Sequence, residues 1–158
     1  MDDCVFDRVC RRLDEAHALY TVLRHEPVFT SQEAADVRGT PLASGAKALI
    51  CKGDRQVVMF VLPADLKLAS REIRRARGWR KMRFLTAEEV LELTGLRPGS
   101  IPPFGSLFDL PTLCDSRLGE NDEINFNAGD HSISVSMKFT EYQRVEQPEL
   151  GIYGASDP

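Results

Sequence analysis

The sequence predicts an α+β domain in which helices flank a mixed β-sheet, and three observations carry that prediction. The uninterrupted apolar run Val57 to Leu62 has the character of a central strand covered on both faces. Two capping boxes, Thr30-Ser31-Gln32-Glu33 and Thr86-Ala87-Glu88-Glu89, each open a short helix that a glycine closes. Late in the chain, Ser132 to Met137 alternates polar and apolar residues, the pattern of a half-buried strand. With 158 residues, 42% hydrophobic and 28% charged, the chain has the size and composition of one globular domain with its own core.

Each element follows from local chemistry. Val5, Phe6, Val9, Cys10, Leu13, Ala16, Tyr20 and Leu23 recur at helical spacing, which predicts an amphipathic helix over 4–24. His25-Glu26-Pro27 ends it, because the residue before a proline is pushed out of the α region. The first capping box starts a helix that stops near Gly39, and Pro41 to Gly45 forms a loop. Ala46–Lys52 and Gln56–Leu62 read as two strands joined by Gly53-Asp54-Arg55. Ser70 to Arg77 reads as a helix ended by Gly78, and Lys81 to Leu85 as a short strand. The second capping box opens a helix carrying Val90, Leu91 and Leu93 up to Gly95. Leu107-Phe108 and Ile124–Phe126 are short apolar pieces, and a helix around Thr140 to Arg144 closes the domain at about residue 146. The segment 147–158, with its Pro, Gly, Ser and Asp, reads as a frayed tail.

No apolar run approaches a membrane span, and the acidic start Met1-Asp2-Asp3-Cys4 is unlike a signal peptide. Cys4, Cys10, Cys51 and Cys114 form no C-x-x-C pair, so free thiols fit better than a disulfide framework or a zinc site. A cytoplasmic protein is the expectation. The net charge of −4 conceals an asymmetry: residues 1–108 carry 17 basic and 14 acidic side chains, residues 109–158 carry 3 and 10. Arg71, Arg74, Arg75, Arg77, Arg80, Lys81 and Arg83 cluster with only Glu72 opposing them. Such a group is either a solvated face or a patch that neutralises phosphates locally.

No Gly-rich phosphate loop, nucleophile elbow or paired metal ligands occur in the chain. Three features remain as candidates for chemistry. Gly99-Ser100-Ile101-Pro102-Pro103-Phe104-Gly105 combines stiffening prolines with permissive glycines, which describes either a rigid turn or a loop that presents main-chain groups to a ligand. Lys47 stands in an apolar stretch, on a strand face shared with Leu49 and Cys51. It either snorkels from the strand end or supplies a fixed cation for a phosphate or a developing oxyanion. Asn127-Ala128-Gly129-Asp130-His131 is a tight turn suited to a pocket wall, although plain turns look the same, and Ser134 faces solvent or that pocket.

Taken in order, these segments resemble the YbaK/EbsC family, the prolyl-tRNA-synthetase-associated editing domain. The resemblance rests on His25-Glu26-Pro27-Val28-Phe29-Thr30, Gly45-Ala46-Lys47-Ala48-Leu49, Pro98 to Gly105, and Asn125-Phe126-Asn127-Ala128-Gly129, and it spans roughly residues 20–145. It implies a single compact α+β domain with a curved mixed sheet, one face of which forms the substrate pocket. Lys47 matches the family lysine that engages the terminal adenosine's phosphate. Gly99 and Pro103 match the loop whose backbone contacts the aminoacyl ester and the attacking water, with Ser100 and Ile101 between them. Asn127, Gly129 and Ser134 align with positions near the substrate amino acid, and His131 falls in a variable part of that motif. Some subfamilies carry Ser in place of Asn127 and Asp in place of Ser134, which bears on which amino acid is removed.

The resemblance therefore implies a freestanding hydrolase that deacylates mischarged aminoacyl-tRNA, such as Ala- or Cys-tRNA(Pro) made by prolyl-tRNA synthetase. It implies no cofactor and no metal, the tRNA acceptor end and a synthetase as partners, no membrane, and a monomer or weak dimer. Arg74, Arg75, Arg77, Arg80 and Lys81 are the candidates for contact with the acceptor stem. A non-catalytic module that binds tRNA or a synthetase through the same fold is the alternative.

Overall fold

The computed structural model describes residues 4–156. In chain order its elements are α1 (Val5–Glu15), β1 (Tyr20–Arg24), α2 (Ser31–Arg38), β2 (Ala46–Gly53), β3 (Gln56–Pro63), β4 (Lys67–Leu68), α3 (Ser70–Arg77), β5 (Met82–Phe84), α4 (Ala87–Thr94), β6 (Thr112–Asp115), β7 (Glu123–Asn127), β8 (Ile133–Lys138), α5 (Phe139–Glu146), β9 (Glu149–Gly151) and β10 (Gly154–Ala155). A mixed five-stranded sheet has the order β5-β2-β3-β6-β9; its first two pairings are antiparallel and its last two parallel. A three-stranded antiparallel sheet, β1-β8-β7, and a two-stranded ribbon, β10-β4, complete the α+β architecture.

Strand β3 is covered on both faces, as its composition predicts. Met59 and Val61 point into the larger core, with α1, α5, β7 and β8; Val58, Phe60 and Leu62 point into a smaller one, with Ile73 of α3 and Tyr153. The hairpin to β2 turns at Asp54, which adopts φ 52°. Both capping boxes form as expected, Thr30 with Glu33 and Thr86 with Glu89, and Gly39, Gly78 and Gly95 take the left-handed caps.

Two expectations need correcting. The helix over 4–24 ends at Glu15, where His17 adopts φ 55° and the N–H groups of His17 and Ala18 donate to the carbonyls of Asp14 and Leu13. That is a Schellman cap with His in the place usually taken by glycine. Residues 20–24 then form β1, pairing with β8 from Tyr20↔Met137 to Arg24↔Ile133. The apolar spacing of Tyr20 and Leu23 continues the helical period by coincidence, because an edge strand with little burial imposes no alternation of its own.

The second correction concerns the frayed tail. Residues 147–156 are docked: β9 adds to β6 in parallel, and β10 pairs with β4. Tyr153 is buried with its ring 5.4 Å from that of Phe60. Asp115 Oδ2 accepts from the N–H groups of Tyr153 and Gly154 at 2.9 and 2.8 Å. Asp157 and Pro158 lie outside the described residues.

Candidate active site

A cavity of about 120 Å³ opens where the N-terminal half of β2 meets α2 and the loop at Gly99. Its lining includes Lys47 and its strand neighbours, Thr30 and Arg38 from either end of α2, and Gly99, Ile101 and Asn127. Sheet geometry explains why a hollow forms here. Strand β5 covers β2 only at Cys51, Lys52 and Gly53. The Ile50 carbonyl accepts from Leu85 N–H, which sets the main-chain groups of the even-numbered residues of β2 toward that side. The main-chain N–H and C=O of Ala48 therefore point to an edge that no strand among the described residues covers.

The Gly99 loop is fixed from behind. Tyr142 is wholly buried and donates its hydroxyl to the Pro103 carbonyl at 2.6 Å. Phe104 is wedged between Phe126 and Tyr142, with ring centroids 5.6 and 5.3 Å away. Gly129 N–H donates to the Ser100 carbonyl at 2.7 Å, and Asn127 Nδ2 donates to the Gly99 carbonyl at 2.7 Å. Gly99 has φ 93°, a conformation that glycine adopts without strain. The apolar residues that look out of place in a loop are thus its anchors.

The candidates read from the sequence separate into those at the cavity and those behind it. Lys47, Gly99, Ile101 and Asn127 line it. His131 stands at the rim: its Nε2 lies 3.3 Å from where a Cβ on Gly99 would be, and its ring is 4.9 Å from that of Phe29, which is 73% exposed. Pro103 is buried with its carbonyl taken by Tyr142. The Ser100 hydroxyl donates to the Arg97 carbonyl within its own loop, and Gly129 packs on α1 at Val5 and Phe6. Ser134 is buried one step behind the cavity.

Two residues to which sequence reasoning gives no site role, Arg38 and His25, complete the site. Arg38, the last residue of α2, donates from Nε to Ser134 Oγ and from Nη2 to Asn127 Oδ1, both at 2.8 Å. His25 meets the same Ser134 Oγ through Nε2 at 2.8 Å and the Glu26 carbonyl through Nδ1 at 2.8 Å. A carbonyl only accepts, so Nδ1 carries the proton. In the neutral ring Nε2 then accepts from Ser134, whose oxygen in turn accepts from Arg38. The chain of bonds runs on through Arg38 and Asn127 to the Gly99 carbonyl. Burial in these surroundings lowers the Arg38 guanidinium to a pKa of about 10. The one sequence signal for Arg38, a cation in the last turn of a helix, is equally that of an ordinary partner for the helix dipole.

The arginine cluster lies apart from the cavity. Arg74, Lys81 and Arg83 line a surface hollow that begins at Lys52, and Arg71, Arg74, Arg75 and Arg80 surround Trp79 in another. Arg77 is paired with Glu149 and lies over the Trp79 ring, 5.7 Å from its centroid. Among the described residues, no helix is long and apolar enough to cross a membrane.

Comparison with known proteins identifies the family of the chain. The model of the aminoacyl-tRNA editing domain matches residues 25–145. The chain is 38% identical over 148 residues to the multifunctional Ser/Thr-tRNA deacylase ProXp-y of Escherichia coli (strain K12), covering 90% of this chain and 89% of that protein. It is 23% identical over 151 residues to the prolyl-tRNA editing protein ProX of Acetoanaerobium sticklandii, with 92% of each covered. A crystal structure of a candidate trans-editing enzyme for prolyl tRNA synthetase superposes with a TM-score of 0.85 at 23% identity, over 99% of this chain and 100% of that one, which establishes the shared fold. From the match across 25–145 and the identity along nearly the whole length, the chain belongs to the aminoacyl-tRNA editing domain family.

Proposed function

We propose that this aminoacyl-tRNA deacylase works in trans on tRNA mischarged with a small hydroxyl-bearing amino acid, Ser or Thr, in preference to Ala or Cys. The observation that carries the reading is the cavity itself. It is small, about 120 Å³, and polar groups of Thr30, Ser31, Arg38 and Asn127 share its wall with Lys47. The deacylase named for Ser and Thr, 38% identical to this chain, supports the same choice. A synthetase pocket separates amino acids that differ by one methylene by only about 1–3 kcal/mol, so a second pocket that hydrolyses the errors is required.

In this reading Lys47 holds the phosphate of the terminal adenosine, and the acyl group enters beside Gly99. The ester is attached directly to the ribose, so the adenine comes to rest at the cavity mouth, where Phe29 and His131 offer ring faces for stacking. The basic hollow at Lys52 is five residues along β2 from Lys47, about 17 Å at strand rise. In this reading it receives the acceptor stem, with Arg74, Arg75, Arg80 and Lys81 as contacts and Arg77 held back by Glu149. A synthetase that delivers the mischarged tRNA is the second partner in this scheme.

The chemistry needs no enzyme nucleophile. The ester is already activated, and a site that aligns water and stabilises the oxyanion is enough to hydrolyse it. The test is a deacylation panel with tRNA carrying Ser, Thr, Ala or Cys. Wild type is expected to hydrolyse the Ser and Thr esters fastest. Lys47→Ala is expected to lose roughly 10- to 100-fold in kcat/KM, the worth of one charge-assisted contact. No acceleration over buffer, or full activity in Lys47→Ala, overturns the reading.

A further inference from the structure

We propose that Arg38 is a catalytic residue of this site, the cation that receives the negative charge developing on the ester carbonyl oxygen. The inference rests on the deacylase reading and assigns the site's second positive charge. Arg38 lines the cavity beside Gly45 and Asn127. Its Nη1 lies 3.7 Å from where a Cβ on Gly45 would be, so it reaches over a residue that has no side chain to block it.

A guanidinium has five N–H donors. Two of the Arg38 donors are spent, on Ser134 Oγ and Asn127 Oδ1, and both acceptors are neutral. Desolvation lowers its pKa, and among the described residues no carboxylate offsets it. A cation drawn partly out of water without a counter-charge is costly, and such groups persist where a ligand supplies the charge. Neither the ester nor the water is anionic in the ground state. The anion arises during reaction, so the interaction strengthens toward the transition state.

Arg38 also orients the substrate. The α-ammonium of the aminoacyl group is repelled by the guanidinium, which turns the carbonyl toward Arg38 and the amine away from it. In the step itself, the water oxygen bonds to the carbonyl carbon and the π pair moves onto the carbonyl oxygen, opposite Arg38. The pair then returns and expels the ribose oxygen, which takes the proton lost by the water. The products are the amino acid and a tRNA with a free terminal hydroxyl. Because Arg38 also grips Asn127, which holds Gly99, one residue places the cation and the loop together.

The test is single-turnover hydrolysis of Ser-charged tRNA by wild type, Arg38→Gln and Arg38→Lys. Affinity is measured in parallel with a tRNA carrying Ser through a non-hydrolysable amide at its 3′ end. Arg38→Gln is expected to slow the chemical step about 100- to 1,000-fold while analogue affinity stays within about threefold. Arg38→Lys, which keeps the charge, is expected to recover at least about tenfold of that loss. Wild-type rate in Arg38→Gln, a parallel fall in rate and affinity, or a lysine variant no faster than the glutamine variant overturns the proposal. If Arg38→Gln fails to fold, Arg38→Lys is read against wild type, and a loss of about 100-fold or more overturns it. A wild type that hydrolyses no charged tRNA defeats the deacylase reading instead, which is a separate outcome.

Discussion

Asp115 and Arg38 are both charges drawn away from water, and the chain treats them in opposite ways. Asp115, with no exposed surface, is saturated by its own protein: Arg117 pairs with it through Nε and Nη2 at 2.9 and 2.7 Å, and three backbone N–H groups point at its oxygens. Burial alone would raise its carboxyl, yet the hydrogen bonds from Arg117, Tyr153 and Gly154 prevail and hold it at about 2. Among the described residues Arg38 donates hydrogen bonds to neutral groups only, and its cation is weakened. A charge whose partners all belong to the chain holds the fold together. A charge left with neutral partners beside a cavity marks where another molecule completes the arrangement.

The largest effect that distinguishes the two falls on stability. Asp115→Ala strips the partner from Arg117 and leaves the N–H groups of Tyr153 and Gly154 buried without acceptors. It is expected to cost about 3–5 kcal/mol in urea-induced unfolding, the loss typical of a broken buried pair. The remaining folded protein should keep its kcat, since Asp115 does not line the cavity. Acid sharpens the same contrast. A carboxyl depressed from 3.8 to about 2 contributes stability that is complete above about pH 4 and disappears as the pH falls toward 2. Unfolding midpoints measured between pH 6 and 2 should decline most steeply in that window, and Asp115→Asn should flatten the decline. The smallest effect belongs to Arg38→Gln, which is expected to shift unfolding free energy by less than about 1 kcal/mol, because a poorly compensated cation adds little to the fold. Equal destabilisation by Asp115→Ala and Arg38→Gln would erase the distinction.

The same contrast explains what could be read from the sequence. Lys47 stands out because its neighbours are apolar, so a charge there demands a reason, and the structure places it at the cavity. The Gly99 loop and Asn127 are legible through composition and family likeness. Arg38 is hidden because its immediate surroundings, a helix end followed by Gly39, provide a routine reason for a cation. Its partners Ser134 and Asn127 lie about 90 residues away in sequence, and local pattern carries no trace of them. Strand β6 is missed for a related reason: Thr112–Asp115 is short, fully buried and ends in an acid, so neither alternation nor length announces it. The docked tail is misread because its Pro, Gly and Ser fit disorder as well as a strand whose register β6 dictates.

The partners of Asp115 also set an order of events in time. The amides of Tyr153 and Gly154 are synthesised 38 and 39 residues after the carboxylate they satisfy. At about 5–20 residues per second, a ribosome takes on the order of 2–8 seconds to make that stretch. During this interval the parallel edge at β6 has no β9, and Asp115 has only Arg117. The last edge of the sheet that shapes the cavity is therefore added late, once the segment carrying β9 has been made. Chains truncated before Glu149 would leave the β6 edge that β9 covers open to proteases and chaperones.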